Sequence, residues 1–214
     1  LVGSEMCIRD SPYRKYKKSC WHKRLLMDNL KILSFTENFK LSKEQQFNIR
    51  LHDHGLLRLI PLSVDHQLFD VTDKVFFHTL INSLAYQEMF FDHFSQKSDN
   101  KHGPFLLETI KENNFIKISN DHLREEIVQI VSSPKWSCPP ISKEKLSDVK
   151  KLVNLLINQA SEPYFLEKCL TFNSSSQEAV VYEHEWSHSL TSYYEYVIKD
   201  IKNKKVFLLI ITYE

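Results

Sequence analysis

From Phe47 the order Phe47-Asn48-Ile49-Arg50-Leu51 alternates apolar and polar, Asp53-His54-Gly55 interrupts it, and Leu57-Arg58-Leu59 resumes it. A period of two on either side of a short polar break predicts a β-hairpin, with Gly55 taking the positive φ of the turn and Pro61 closing the second strand. Further on the period changes. Phe77, Leu80, Ile81, Leu84, Phe91 and Phe94 recur at three- and four-residue intervals, which predicts one core-facing helix, capped by Asp73 and running through Phe94. Pro104 suits a first helical turn, so Phe105, Leu106 and Ile110 are expected in a short helix before Asn113-Asn114.

Ser119 ahead of Leu123, Ile127 and Ile130 predicts another helix. Ser142 opens the clearest one, with Leu146, Val149, Leu152, Val153, Leu156 and Ile157 as its buried stripe and an end near Ala160, before Pro163. The Pro134 to Pro140 stretch lacks donors and fixes φ, so it reads as a connector. Asn173 to Gln177 reads as a polar, Ser-rich loop. At the C-terminal end Tyr194, Tyr196 and Ile198 alternate with Glu195 and Lys199, Lys202 to Lys205 makes a polar turn, and Val206 to Ile211 is an unbroken apolar strand of the kind found inside sheets. With residues 180–190 this makes a three-strand antiparallel meander. The fold class expected is therefore α+β, with an N-terminal β-hairpin, central helices and a C-terminal antiparallel β-meander.

The first residues change what counts as the protein. Leu1 to Ser11 reads as a sequencing-library adapter translated in frame, and Pro12 to Leu26, with six Lys or Arg and no acid, reads as a leader that is not translated. Residues 1–26 are thus expected to be non-structural, and 27–214 a single α+β domain cut short at its C-terminus. Removing the seven basic and two acidic residues of 1–26 leaves 21 against 25, a net charge of −4. Attraction to nucleic acid then has no support in the body of the chain and depends on residues 12–26 being translated. The longest apolar run, Val206 to Ile211, is far below the roughly 20 residues of a membrane-spanning helix. Cys138 and Cys169 are too few for a disulfide framework, so a cytoplasmic protein with free thiols is expected. Outside the first eleven residues only Gly55 and Gly103 occur, which argues against Gly-rich phosphate-cradling loops.

One motif carries chemistry. His184-Glu185-Trp186-Ser187-His188 has the spacing H-E-x-x-H, and with its flanks Val181, Tyr182, Ser189 and Leu190 it resembles the zincin metalloprotease pattern over ten residues. In that resemblance His184 and His188 are zinc ligands on one helical face and Glu185 is the general base acting on the metal-bound water. The bare pentad arises by chance in about three chains per hundred of this composition. The backbone decides between the readings. Four residues rise about 6 Å on a helix but about 13 Å on a strand, and nitrogens that share one ion must each lie about 2 Å from it.

Tyr182, His184, Trp186, His188 and Leu190 alternate with Glu183, Glu185, Ser187 and Ser189, which is the period of a strand. The competing helical stripe is Leu190, Tyr194, Val197 and Ile201. No third ligand stands at the metzincin positions, where Thr191 and Tyr194 occur, and Glu195 lies about 10 Å along a continuing helix. His52, Asp53, His54, Asp65 and His66 form a weaker cluster, read as the polar face of a hairpin turn. His78 and His93 read as edge or satisfied core residues of the Phe-rich helix, and Cys138 as a structural thiol. The reading reached is a non-catalytic protein-interaction or regulatory module with no cofactor. The alternative is a zinc-dependent, peptidase-like hydrolase built on His184, Glu185 and His188.

Overall fold

The computed structural model describes residues 39–41, 47–87, 101–133, 140–167, 190 and 192–213. Nine strands occur among them: β1 (Phe39–Leu41), β2 (Phe47–His52), β3 (Gly55–Val64), β4 (Lys101–His102), β5 (Phe105–Leu106), β6 (Phe115–Lys117), β7 (Ser161–Leu166), β8 (Ser192–Asp200) and β9 (Lys205–Tyr213). The α-helices are α1 (Asp73–Ile81), α2 (Leu84–Gln87), α3 (Asn120–Ser132) and α4 (Lys143–Leu156). Seven strands form one antiparallel sheet in the order β1-β3-β9-β8-β7-β6, with β2 pairing β3 beside β1, while β4 and β5 make a separate two-stranded ribbon. The expected α+β class is correct, with the hairpin at β2–β3 and antiparallel strands at the C-terminal end.

Both faces of the sheet are covered. On one side Phe76, Phe77, Leu80, Tyr86, Phe105 and Phe115 pack on Ile60, Leu62, Tyr193, Val197, Leu208 and Ile210. On the other, Leu123, Ile127 and Val131 of α3 and Val149, Val153 and Leu156 of α4 pack on Leu57, Leu59, Tyr196, Ile198, Leu209 and Ile211. Successive residues of a strand point to opposite faces, so a strand buried on both sides must be apolar at every position. This is why Val206 to Ile211 reads as an unbroken apolar run: β9 lies between β3 and β8, its residues alternately feeding the two cores.

Local signals fixed several boundaries. Ser119 caps α3 by accepting the His122 N–H, and Ser142 caps α4 by accepting the Lys145 N–H, as expected. The helix beginning at Asp73 is capped by Thr72 rather than by Asp73, which sits in the first turn. It ends at Ile81 instead of running on. Ser83 donates its hydroxyl to the Leu80 carbonyl and accepts the Tyr86 N–H, so it closes one helix and opens the next. Residues 88–100, with Phe91, His93 and Phe94, lie outside the described residues. Helix α4 stops at Leu156, four residues before Ala160.

Other expectations fail for identifiable reasons. The segment after Pro104 is not a helix: β4 and β5 pair around a Gly103-Pro104 turn in which Gly103 has φ +55°, and two short 3₁₀ turns follow at Leu107–Thr109 and Glu112–Asn114. Pro61 does not end β3. It falls where β2 has stopped pairing at Leu59 and β1 has not begun at Leu62, so its missing N–H disrupts no ladder on that side. Strands β6 and β7 were not foreseen. Pro163 reads as a breaker, yet it sits inside β7 with its carbonyl accepting the Ile118 N–H.

Gly55 has no positive φ. Its role is close approach: a Cβ there would stand 2.7 Å from His52 Nε2 and 2.9 Å from Tyr213 Cε1, both on largely buried rings. Gly55→Ala is therefore expected to destabilise the fold by about 1–3 kcal/mol through overpacking, measured by urea denaturation. A neutral outcome would show that the two rings give way freely.

Candidate functional site

Strand β8 carries Tyr193, Glu195, Val197 and Lys199 on the face that packs under α1, α2 and the β4–β5 ribbon. Alternation marks Glu195 and Lys199 as the polar phase of an ordinary amphipathic strand, which would place them in water. Instead both are buried, because that face is covered as fully as the other. Glu195 is 0% exposed and its carboxylate is surrounded by donors: the Tyr86 hydroxyl donates to Oε1 at 2.7 Å, and His102 Nε2 and the Tyr193 hydroxyl meet Oε2 at 2.6 Å and 2.5 Å.

These donors come from three elements. Tyr86 is on α2, His102 on β4 and Tyr193 on β8 itself. The His102 ring stacks on the Tyr86 ring with centroids 3.7 Å apart, and its Nδ1 lies 3.1 Å from the Tyr86 carbonyl oxygen. Both imidazole nitrogens thus face oxygen acceptors. The Glu195 pKa follows from competing causes. Burial pushes it up, but the charge of His102 and the hydrogen bonds from His102, Tyr193 and Tyr86 outweigh burial and hold it below the usual carboxylate range. The Tyr86 hydroxyl is pushed well above its ordinary range by burial and by the adjacent Glu195 charge.

A second cluster lies farther along β8. Lys199, 3% exposed, donates from Nζ to Asp73 at 3.0 Å and lies 3.4 Å from Glu162, with the Phe76 ring 4.7 Å away. Tyr164 also donates to Glu162, at 3.3 Å. Burial opposes ionisation of Asp73, yet hydrogen bonds from Tyr164 and Lys199 leave its carboxyl below the usual range. This cluster pins the start of α1 to β7 and β8.

No family model, no curated protein and no solved structure matches this chain. What the site can do therefore rests on its own geometry. Tyr86, His102, Tyr193 and Glu195 are each sealed from solvent at 0% exposure, and both Glu195 oxygens are occupied. A carboxylate–imidazole–phenol group can share protons internally, and all four of its members are buried. It ties α2 and the β4–β5 ribbon to the sheet through hydrogen bonds to a charged group, which are stronger than neutral ones.

Only some of the residues singled out from sequence fall within the described residues. His184, Glu185 and His188 lie outside the described residues, as do His93, Cys138, Cys169, residues 1–38 and the polar loop. From Ser192 to Asp200 the chain is extended, so the stripe of Tyr194, Val197 and Ile201 is not helical there: Tyr194 and Val197 face opposite cores. Glu195 is committed to His102 and the two tyrosines. Among the described residues no group of three or more His, Cys, Asp or Glu side chains is placed to hold a metal ion. Likewise no described helix is long and apolar enough to cross a membrane.

His52 and His54 are not brought to one side. His54 sits exposed in the turn, whereas His52 is buried against Tyr213, a departure from the water-facing position expected for both. Asp65 accepts the Gln67 N–H as a cap, and His66 is exposed. His78 is an edge residue, as expected, with Nδ1 2.6 Å from Glu112. Sequence reasoning overlooked Tyr86 and His102 altogether. The available signal was a single charge in the run Tyr193-Tyr194-Glu195-Tyr196-Val197-Ile198, where one carboxylate amid five apolar or aromatic residues calls for a buried partner.

Proposed function

We propose that this chain is a non-catalytic protein-interaction or regulatory module. The observation that supports the reading is the closure of its Glu195–His102–Tyr86–Tyr193 constellation: every member is buried, and His102, Tyr86 and Tyr193 are each hydrogen-bonded to Glu195. Active sites keep titratable groups within reach of a reacting atom, and this one does not. Exposed apolar side chains add modest support, Leu155 on α4 at 82% exposure foremost, since partner-binding surfaces use such residues.

The pentad His184-Glu185-Trp186-Ser187-His188 carries the second reading, a zinc-dependent, peptidase-like hydrolase with His184 and His188 as ligands and Glu185 as base. One experiment separates the two. The full chain, purified without chelator, is expected to hold no stoichiometric zinc by elemental analysis and to show no chelator-sensitive peptide hydrolysis. Near-stoichiometric zinc that disappears in His184→Ala, with hydrolysis that disappears in Glu185→Gln, would replace the interaction module with the hydrolase.

A further inference from the structure

At the end of the sheet where β2 turns into β3, a buried imidazole has one nitrogen engaged and the other without a partner among the described residues. His52 is 9% exposed, and its ring stacks on Tyr213 of β9 with centroids 5.2 Å apart and planes 26° from parallel. Its Nδ1 accepts the backbone N–H of His54 at 3.1 Å, so a neutral ring carries its hydrogen on Nε2. That buried Nε2 has no hydrogen-bond partner among the described residues. A proton arriving at Nδ1 would turn the acceptor into a donor pointed at the His54 N–H. The ring has little room to adjust, since it lies against Gly55 so closely that even a Cβ there would stand 2.7 Å from Nε2.

The surrounding charges do not welcome a cation. Lys145 of α4 reaches this corner, its Nζ donating to the Leu51 carbonyl at 3.3 Å, and His54 lies in the same turn. Asp53 is the one nearby acid whose charge favours protonation, and it is exposed and turned toward Arg50 of β2 at 3.6 Å. Tyr213 contributes its ring face, while its hydroxyl is directed to the Ile130 carbonyl of α3.

We propose that His52 is a proton-sensitive lock on the β2–β3 turn: taking up a proton expels the ring from its slot beside Gly55 and Tyr213 and opens this end of the sheet. Burial first, then the charges of His54 and Lys145, hold the imidazole below its ordinary value of 6.5, against the pull of Asp53. The sign follows. The open form binds a proton more readily than the closed one, so closure is complete above pH 6.5 and weakens as pH falls through the closed-state value.

The test is amide hydrogen exchange on the full chain between pH 8 and 5, expressed as protection factors so that the intrinsic pH dependence drops out. Protection at His54 and the first residues of β3 is expected to fall by up to about 30-fold, the limit for an opened imidazole of ordinary pKa, while mid-strand amides of β8 and β9 hold. His52→Phe keeps a ring on Tyr213 without a titrating group, and is expected to abolish the pH dependence. NMR titration of the His52 ring in the unaltered protein reads the same equilibrium directly, so a poorly folding variant does not blunt the test. Protection that stays flat with pH, an equal fall in His52→Phe, or a ring that titrates at its ordinary value would each overturn the proposal.

Discussion

Glu195→Ala is expected to destabilise the protein by about 3–5 kcal/mol, because truncation removes the anion that a buried imidazole and two buried phenols share. For a chain of this size such a loss lowers the melting temperature by roughly 6–20 °C. Most of the effect comes from stranding the partners rather than from the worth of the pair itself, since three buried groups lose their acceptor. The double variant Glu195→Ala/His102→Ala should therefore be less destabilised than the sum of the two single changes, by about 1 kcal/mol or more. Additivity in denaturant melts would show that the two groups are energetically separate despite their 2.6 Å contact.

The same carboxylate sets an acid limb. Its folded-state pKa is depressed, so the unfolded chain takes up the proton first as pH falls, and stability that is complete above the ordinary value of 4.5 drains away below it. Asp73, Glu112, Glu162 and Asp200 are depressed as well, but Asp73, Glu112 and Glu162 are partly exposed and contribute less per group. Glu195→Gln should flatten the slope of stability against pH below 4.5 relative to the parent protein. An unchanged slope would mean that Glu195 is not ionised in the fold.

Gly103→Ala should be the next most damaging change, at about 2–4 kcal/mol, for two reasons that add. The residue has φ +55°, which costs an L side chain about 1–2 kcal/mol. A Cβ would also stand 2.7 Å from both Cε2 and Cζ of Tyr193, a fully buried ring that cannot retreat without releasing its bond to Glu195. Thermal melts give the size of the loss. Hydrogen exchange over Lys101–Leu106 gives its location, since the ribbon should open before β8 and β9 do. A stability unchanged within about 0.5 kcal/mol would show that the turn has freedom the packing does not reveal.

How much of this was legible beforehand differs from one element to the next. Alternation over Phe47 to Leu59 gave the β2–β3 hairpin, and two serines gave the starts of α3 and α4, because a cap or a hairpin turn is decided by residues three or four apart. The unbroken apolar run from Val206 to Ile211 announced a strand buried on both faces. Misreadings came where a local rule met a distant one. Ser83 split a helix whose stripe looked continuous, and Pro163 was accepted within β7 despite its missing N–H. The glycine expected to supply a positive φ was needed for close approach, while Gly103 supplied the positive φ instead.

What the order of residues determined unaided was the phase of each element: which side chains share a face, where helices begin, and which strand is apolar throughout. Depth was decided only in three dimensions. Glu195 and Lys199 occupy the polar phase of β8, and periodicity places such residues on one side without saying whether water or protein lies there. The helices and the β4–β5 ribbon that cover that side arrive from 93 and 109 residues away for His102 and Tyr86. A charge at such a position survives burial only when partners of the opposite character are delivered to it, and that delivery is a property of chain topology that no short window of sequence encodes.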